Sequence, residues 1–273
     1  MVQNPKKIVA VLSDLEMAEK TLSIAFTFAD AHDAIIEVIY VHEPALFETP
    51  DYFLSDIKME EDSLDKNHIK LEIQKRIKYL DNSRPCALFT FIGDTVNRVK
   101  HLVKSDKDIL IITAYHDKIT KSLLSKVTQP VLILKGKRSH YRNIALSVNL
   151  DEYTMDCIQL ASHVFDKQNL YLLYDYRYVI DSSMELDLQN LTLIEEGQKS
   201  AFETLKKKST LDGKFFSDSS FLGDAFIEYI YTKNFDLVIC CLNRDDFFIS
   251  TSLPAKLLED AGITCDIFVA TET

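Results

Sequence analysis

Glycine is scarce in this chain, and its scarcity excludes the most familiar kind of phosphate-binding loop. Only six glycines occur among the 273 residues. Loops that hold phosphates through backbone N–H groups depend on clustered glycines, because a side chain would keep the phosphate oxygens away from the backbone. The composition therefore disfavours a glycine-rich phosphate loop anywhere in the chain.

Basic residues are outnumbered by acidic ones, which argues against a nucleic-acid partner. The chain has 31 lysines and arginines against 42 aspartates and glutamates, a net charge of −11. Phosphate backbones are bound by clustered cations that displace counterions. The longest basic run, Lys206 to Lys208, is expected to be a solvated helix end, where cations suit the helix dipole. We therefore expect no nucleic-acid partner.

Long apolar runs and recognisable cysteine motifs are also absent. No segment approaches the roughly 18 to 20 apolar residues that span a bilayer, and the first residues lead into a strand without a signal peptide. The five cysteines have no Cys-x-x-Cys spacing, which favours reduced structural thiols over a disulfide framework or a zinc site. They are Cys86, Cys157, Cys240, Cys241 and Cys265. These observations predict a cytoplasmic protein with no membrane partner.

The residues that are present alternate between two periodicities. Apolar runs of strand length are separated by segments whose apolar residues recur at helical spacing, such as Ile69, Ile73 and Ile77. The runs in the first half are Lys7–Leu12, Ile35–Val41, Ala87–Ile92, Ile109–Ile112 and Val131–Leu134. Such alternation predicts an α/β fold with a parallel sheet, right-handed crossovers and helices on both faces.

The whole pattern occurs twice, which predicts two domains, residues 1–137 and 138–273. A polar stretch after Lys135 is the candidate linker between them. Three landmarks recur at a nearly constant spacing. Asn143–Val148 follows Lys7–Leu12 by 136 residues (143 − 7), Thr264–Val269 follows Thr128–Ile133 by 136 (264 − 128), and Gly223 follows Gly93 by 130 (223 − 93).

Four features, in the same order and at similar spacing, resemble a tandem universal stress protein. They are the first strand with Ser13–Glu16 after it, the Val41–Pro44 turn, the pair Gly93–Asp94, and the last strand after Gln129–Pro130. The resemblance covers roughly residues 5–135 and 140–271. It implies a doubly wound, five-stranded parallel sheet in each domain, of the adenine nucleotide alpha hydrolase-like type. It also implies that the two domains pair through their last strands, with a homodimer as a further option.

The resemblance also indicates where a nucleotide would bind. Family members that bind ATP have an Asp closing the first strand, and a Gly-x-x-G followed by Gly-Ser/Thr after the fourth. Ser13 and Asn149 stand at the position of that Asp in the two copies, with Asp14 one residue further on. The segments that begin at Thr113 and Cys241 contain no glycine where the loop is expected. The resemblance therefore implies that canonical ATP binding is lost.

Seven positions are candidates for lining a ligand cleft, and no metal ligands are predicted. Val41 and His42 are included because the family contacts the nucleobase with the backbone of this turn. We predict no cofactor, with ATP or AMP disfavoured. The candidate cleft positions are Ser13, Asp14, Val41, His42, Thr113, Asn149 and Cys241.

Other polar groups admit two interpretations each. His42 is a ligand contact or a hydrogen-bonded residue in a strand-end turn. His116 is a general base oriented by Asp117, or a surface loop histidine. Asp236 with Asp245 and Asp246 is a disfavoured metal site. An ordinary structural role is the alternative for each of these groups.

Two features of the second copy could be interaction surfaces. Tyr174, Tyr176 and Tyr178 alternate, so they share one strand face, where they pack under a helix or form an interface patch. Residues 181–191 are acidic with interspersed Leu and Met, and they are either a partner-docking segment or the start of a long helix.

The function expected from the sequence is binding without catalysis. We expect a stress-response protein that holds a protein partner, a second copy of itself or a small ligand. One alternative is a degenerate adenine-nucleotide sensor with weak or no hydrolysis. The other is an enzyme of the wider nucleotide-binding α/β group, with His42, His116 or Asp14 as the residues to test.

Overall fold

The computed structural model describes residues 5–43, 56–81, 84–104, 106, 108–136, 140–176, 188–217, 224–242 and 253–271. The chain divides into two compact units, Val2–Lys135 (unit 1) and Gly136–Thr273 (unit 2). Each unit contains five strands alternating with helices. The predicted α/β class with repeated, doubly wound parallel sheets is confirmed.

Unit 1 has the strand order β3-β2-β1-β4-β5, with every neighbouring pair parallel. Helices α1 and α2 contact each other on one face of the sheet, and α3 and α4 contact each other on the opposite face. The strands are β1 (Lys7–Leu12), β2 (Ile35–His42), β3 (Cys86–Ile92), β4 (Ile109–Ala114) and β5 (Val131–Leu134). The helices are α1 (Ala18–His32), α2 (Asp56–Leu80), α3 (Thr95–Val103) and α4 (Asp117–Lys126).

Unit 2 repeats this arrangement with the order β10-β9-β6-β7-β8, again parallel throughout. The first strand of the unit is central, as in unit 1. Its strands are β6 (Ile144–Ser147), β7 (Leu170–Tyr176), β8 (Gly213–Ser217), β9 (Leu237–Leu242) and β10 (Asp266–Thr271). Its helices are α5 (Thr154–Val164), α6 (Leu188–Ser209), α7 (Asp224–Lys233) and α8 (Leu253–Glu259).

The core of each unit is its central strand, covered on both faces. Ile8, Val9, Ala10, Val11 and Leu12 are each at most 1% exposed. Because both faces are covered, alternation of polar and apolar residues disappears and the strand becomes a continuous apolar run. This is the pattern from which the strand was predicted.

Two aspartates at the amino ends of strands bind backbone groups at the start of unit 2. Asp266 of β10 binds Gly136, and Asp236, just before β9, binds Arg142 and Asn143. Asp266 is 1% exposed; its Oδ1 accepts from Gly136 N at 2.6 Å and its Oδ2 from the Tyr141 hydroxyl at 2.8 Å. Asp236 Oδ2 accepts from the backbone N–H groups of Arg142 and Asn143 at 2.9 and 3.0 Å. The Asp236 carboxylate therefore binds backbone at the amino end of β9; Asp245 and Asp246, the other members of the disfavoured metal site, lie outside the described residues.

The tyrosines of β7 pack beneath a helix. Tyr174 is 7% exposed, lies 5.9 Å from Phe202 of α6 between ring centroids, and donates to Gln198 Oε1 at 2.9 Å. Tyr176 stacks on Phe215 of β8 at 6.5 Å. The packing interpretation is confirmed for Tyr174; Tyr178 and residues 181–187 lie outside the described residues.

The last turn of α6 carries Lys206, Lys207 and Lys208, which confirms the predicted basic helix end. Within the part of the chain that the structure describes, no helix is both long enough and apolar enough to cross a membrane.

The close approach of Gly136 to β10 generates a stability prediction. A Cβ added at Gly136 would lie 2.2 Å from the backbone oxygen of Thr264, so the backbone would have to shift. We expect Gly136→Ala to lower the free energy of unfolding by about 1–3 kcal/mol, as overpacked sites do. Guanidinium denaturation followed by circular dichroism measures the change.

Gly197 in α6 is the matched control, since a Cβ there would meet nothing within 4 Å. Gly197→Ala is expected to raise stability by about 0.5–1 kcal/mol, because alanine loses less backbone entropy in a helix. Equal effects of the two substitutions would show that the contact with Thr264 carries no strain.

Candidate functional site

The carboxyl edge of each sheet is the candidate site, at the point where the connections reverse direction. In unit 1, β2 and β4 flank β1 and are reached by helices on opposite faces. Their carboxyl ends diverge there, and open α/β sheets bind ligands in the resulting crevice. The corresponding point in unit 2 lies between β6 and β9.

Unit 2 has a small cavity at this edge. Its volume is about 30 Å³, enough for one or two water molecules, since a single water requires about 10–15 Å³. Ligand pockets usually measure about 300–1,000 Å³. Two predicted positions, Asn149 and Cys241, come together in its wall with Val148, Tyr153, Leu160 and Ala270.

A disulfide forms part of the same wall. Cys157 in α5 and Cys241 in β9 are joined, with their Cα atoms 6.0 Å apart, a distance usual for disulfides. The prediction that all five cysteines are reduced thiols is wrong for this pair. The two residues are 84 positions apart, so local spacing could not reveal that the fold places them side by side. The cysteine content therefore no longer argues for a reducing compartment.

The other three cysteines remain thiols, as predicted. Cys240 and Cys265 are 1% and 6% exposed, and burial raises the pKa of the Cys240 thiol. Burial also raises the pKa of Cys86 to about 11. Since thiolates are the reactive form, Cys86 and Cys240 are poor nucleophiles at neutral pH.

The loop between β6 and α5 is closed by its own side chains. Asp151 Oδ1 accepts from Tyr153 N at 3.1 Å and from the Thr154 hydroxyl at 2.9 Å. Asp151 N in turn donates to Thr154 Oγ1 at 3.0 Å. The Asp151 carboxylate is therefore already hydrogen-bonded to the Tyr153 N–H at the start of α5. That N–H could otherwise donate to a bound anion.

The equivalent loop of unit 1 is closed by a different aspartate. Asp14 Oδ1 accepts from Met17 N at 2.8 Å, and Asp14 Oδ2 accepts from the Ser13 hydroxyl at 3.2 Å. Arg76 of α2 donates through Nη1 to the carbonyl of Leu15. Ser13 and Asp14, both predicted cleft positions, thus bind each other and the first turn of α1.

Two further predicted positions are buried in unit 1. Val41 is 3% exposed and Thr113 is 1% exposed. The Thr113 hydroxyl donates to the carbonyl of Ala114 at 3.2 Å. Any contact of these residues with a ligand would have to be made by the backbone.

His42 and Glu43 join the turn that follows β3. Gly93 N donates to the His42 carbonyl at 3.0 Å, and Glu43 Oε1 accepts from Thr95 N at 2.9 Å. Asp94 caps α3 by accepting from Asn97 N at 2.7 Å. Gly93 has φ 128°, a conformation that side chains disfavour. The residues at the end of β2, His42 and Glu43, therefore hydrogen-bond to the turn after β3, although the two segments are far apart in the sequence.

The side chain of Asp117 is bound to groups other than His116. Its Oδ1 accepts from Lys121 Nζ at 3.0 Å and from the Tyr115 hydroxyl at 3.2 Å. The hydrogen bond from Lys121, followed by that from Tyr115, lowers the pKa of Asp117. Among the described residues no group of three or more His, Cys, Asp or Glu side chains could hold a metal ion.

The sheet order and the crevice at its carboxyl edge define an α/β fold of the adenine nucleotide alpha hydrolase-like type. A universal stress protein from Archaeoglobus fulgidus superposes with a TM-score of 0.65 at 12% identity, covering 97% of this chain and 96% of that one. A protein of unknown function from Pseudomonas aeruginosa superposes with a TM-score of 0.66 at 13% identity, covering 99% and 94%.

A further Pseudomonas aeruginosa protein, provisionally described as a universal stress protein, has a TM-score of 0.64 at 13% identity over 99% and 94% of the two chains. At these identities the likeness shows the fold alone. A scan against protein-family models finds no match for the sequence. A search of curated proteins finds no relative.

The joined turns of unit 1 generate a second stability prediction. Asp94→Ala and Glu43→Ala each leave an N–H at the start of α3 without its acceptor, and each is expected to cost about 1 kcal/mol, as lost helix caps do. Asp108→Ala is the control, because the Asp108 carboxylate pairs with Lys6, whose side chain is 82% exposed, and many such exposed pairs contribute nothing measurable. Denaturant midpoints measure all three, and losses no greater than that of the control would contradict the capping role.

Proposed function

We propose that this chain is a stress-response protein that acts by binding a protein partner or a small ligand, without catalysis and without canonical ATP binding. The observation that carries the proposal is the pairing of loop amides with the protein's own carboxylates. Asp14 and Asp151 accept from the amides of Met17 and Tyr153, the residues immediately before α1 and α5, at the edge where a nucleotide of this fold class would lie. The fold likeness to a universal stress protein over 97% of the chain supports the stress-response role.

Electrostatics weigh against a triphosphate at this edge. A phosphate that approached the backbone amide of Tyr153 would also approach the Asp151 carboxylate, because that carboxylate accepts from Tyr153 N. Two like charges about 4 Å apart repel by about 1 kcal/mol in water and about 4 kcal/mol near a protein surface. The net charge of −11 adds a repulsive background.

The cavity of unit 2 favours a small and mainly apolar ligand over a nucleotide. The apolar part of the cavity wall consists of Val148, Leu160, Ala270 and the disulfide. The polar groups of the wall belong to Asn149 and Asp151. A volume of about 30 Å³ has no room for an adenine ring without movement of the wall. At this edge we therefore expect a smaller molecule or a partner protein to bind.

A degenerate adenine-nucleotide sensor is the second candidate. The placement of the cavity at the switch point of the sheet favours it, since ligands of open α/β folds bind there. Weak AMP or ATP binding with little hydrolysis would be its signature.

Calorimetric titration with ATP and Mg²⁺ separates the two candidates. We expect no binding tighter than about 1 mM, which corresponds to about 4 kcal/mol. AMP is titrated in parallel, and Asn149→Trp serves as the control because it places a large ring over the cavity mouth. A micromolar Kd that disappears in Asn149→Trp would overturn the leading proposal in favour of the sensor.

Native mass spectrometry of the chain purified from its own host tests the binding role directly. We expect masses above that of the bare chain of 31.3 kDa, from a second polypeptide or a bound small molecule. The reason is that a protein that acts by binding retains its partner under gentle conditions. A spectrum of the bare chain alone, from unstressed and stressed cells alike, would count against binding as the function.

A further inference from the structure

The cavity of unit 2 differs from the equivalent place in unit 1 at the two crosslinked positions. Cys157 corresponds to Thr21 by the repeat spacing of 136 (157 − 136). Ile8 pairs with Leu110, and its equivalent Ile144 pairs with Leu237, so β9 follows β4 by 127 (237 − 110). Cys241 therefore corresponds to Ala114 (241 − 127).

Unit 1 shows that this fold does not need the crosslink. At the position of Cys157 it has Thr21, whose hydroxyl donates to the Met17 carbonyl of its own helix at 2.9 Å. Ala114 in β4 is buried and has no sulfur. Both units nevertheless form the same five-stranded sheet. The disulfide is therefore an addition to unit 2, placed in the wall of its cavity.

We propose that Cys157 and Cys241 form a reversible thiol–disulfide exchange site, reached by thiols at the partly exposed Cys241, whose reduction releases α5 from β9. The proposal deepens the proposed function by naming a control on the same cavity. It rests on that function only in treating the cavity as the binding site.

The two sulfurs differ in access. Both cysteines line the cavity, but Cys157 is 5% exposed, whereas Cys241 is partly exposed. An incoming thiolate therefore attacks Cys241 Sγ. Its sulfur forms a new bond to Cys241, the Cys157–Cys241 bond breaks, and Cys157 leaves as a thiolate that takes up a proton.

A dithiol completes the reduction. Its second thiol attacks the mixed disulfide at its own first sulfur, which releases Cys241 as a thiol. The dithiol becomes a cyclic disulfide, and two electrons and two protons pass to the protein. The other cysteines do not compete, because Cys240 and Cys265 are buried and burial raises the pKa of Cys86, which leaves it protonated.

The crosslink is one restraint on the entrance to α5. The reciprocal pairing of Asp151 with Thr154 is another. Between β6 and this pair, Leu150 has φ 56°, a left-handed conformation that is costly for a leucine. With the sulfur bond cleaved, the loop and the first turn of α5 lose a covalent restraint, so they open more often.

Thiol counting tests the exchange. The full chain is equilibrated with an oxidising glutathione buffer or with dithiothreitol, then alkylated under denaturing conditions and weighed. The structure predicts three alkylated cysteines in the oxidised chain, since three remain thiols, and five after reduction, since the chain has five in all. Five alkylated cysteines under both conditions would overturn the proposal.

Hydrogen exchange tests the structural consequence. Amides of residues 150–160 are expected to exchange at least about fivefold faster after reduction, as local opening becomes more frequent. The corresponding amides of α1 in unit 1 should not change. Equal exchange of residues 150–160 in the two redox states would overturn the proposal.

Matched variants separate the crosslink from general effects of the reductant. Cys157→Ser should exchange like the reduced chain and ignore dithiothreitol, whereas Cys86→Ser should respond like the unmodified chain. Should Cys157→Ser fail to fold, the comparison of the unmodified chain with and without dithiothreitol decides the matter alone. None of these measurements uses a nucleotide, so their outcome is independent of the ATP titration.

Discussion

Backbone N–H groups at the ends of buried parallel strands must find acceptors, and in this protein acidic side chains supply them. A buried amide left without an acceptor costs about 1–3 kcal/mol. Six carboxylates accept from backbone N–H groups near the strand and helix ends of the two units; the hydrogen bond from the amide of Gly136 is buried, whereas those from Met17, Asn97 and Tyr153 are exposed. The carboxylates belong to Asp14, Glu43, Asp94, Asp151, Asp236 and Asp266. This accounts for part of the acidic excess of the sequence.

The same arrangement restricts what the carboxyl edges can bind. A phosphate site of this fold class would use the amides at the starts of helices and a glycine-rich loop that exposes more of them. Here Asp14 and Asp151 already accept from those amides, and the segments after β4 and β9 contain no glycine. Scarce glycine and the carboxylates of Asp14 and Asp151 both leave fewer backbone amides exposed at these edges.

The two units share a fold and differ at their crevices. Unit 1 closes its edge with joined turns, in which Glu43 and Gly93 bind groups across the ends of β2 and β3. Unit 2 keeps a cavity of about 30 Å³ and places a disulfide in its wall. Because the core is common to both, we look for function where they differ. The strands tolerate such divergence, since their stability comes from apolar burial on both faces.

The elements and their order could be predicted from the amino-acid sequence because periodicities of two and 3.6 residues are local properties of the chain. The doubled spacing of 136 residues likewise placed Asn149 at a strand end, where it lines the cavity. Only the tertiary structure decided that Cys157 meets Cys241 and that Glu43 binds Thr95, pairs separated by 84 and 52 residues. Contacts of that kind depend on where each crossover helix returns the chain to the sheet, and no local spacing records it.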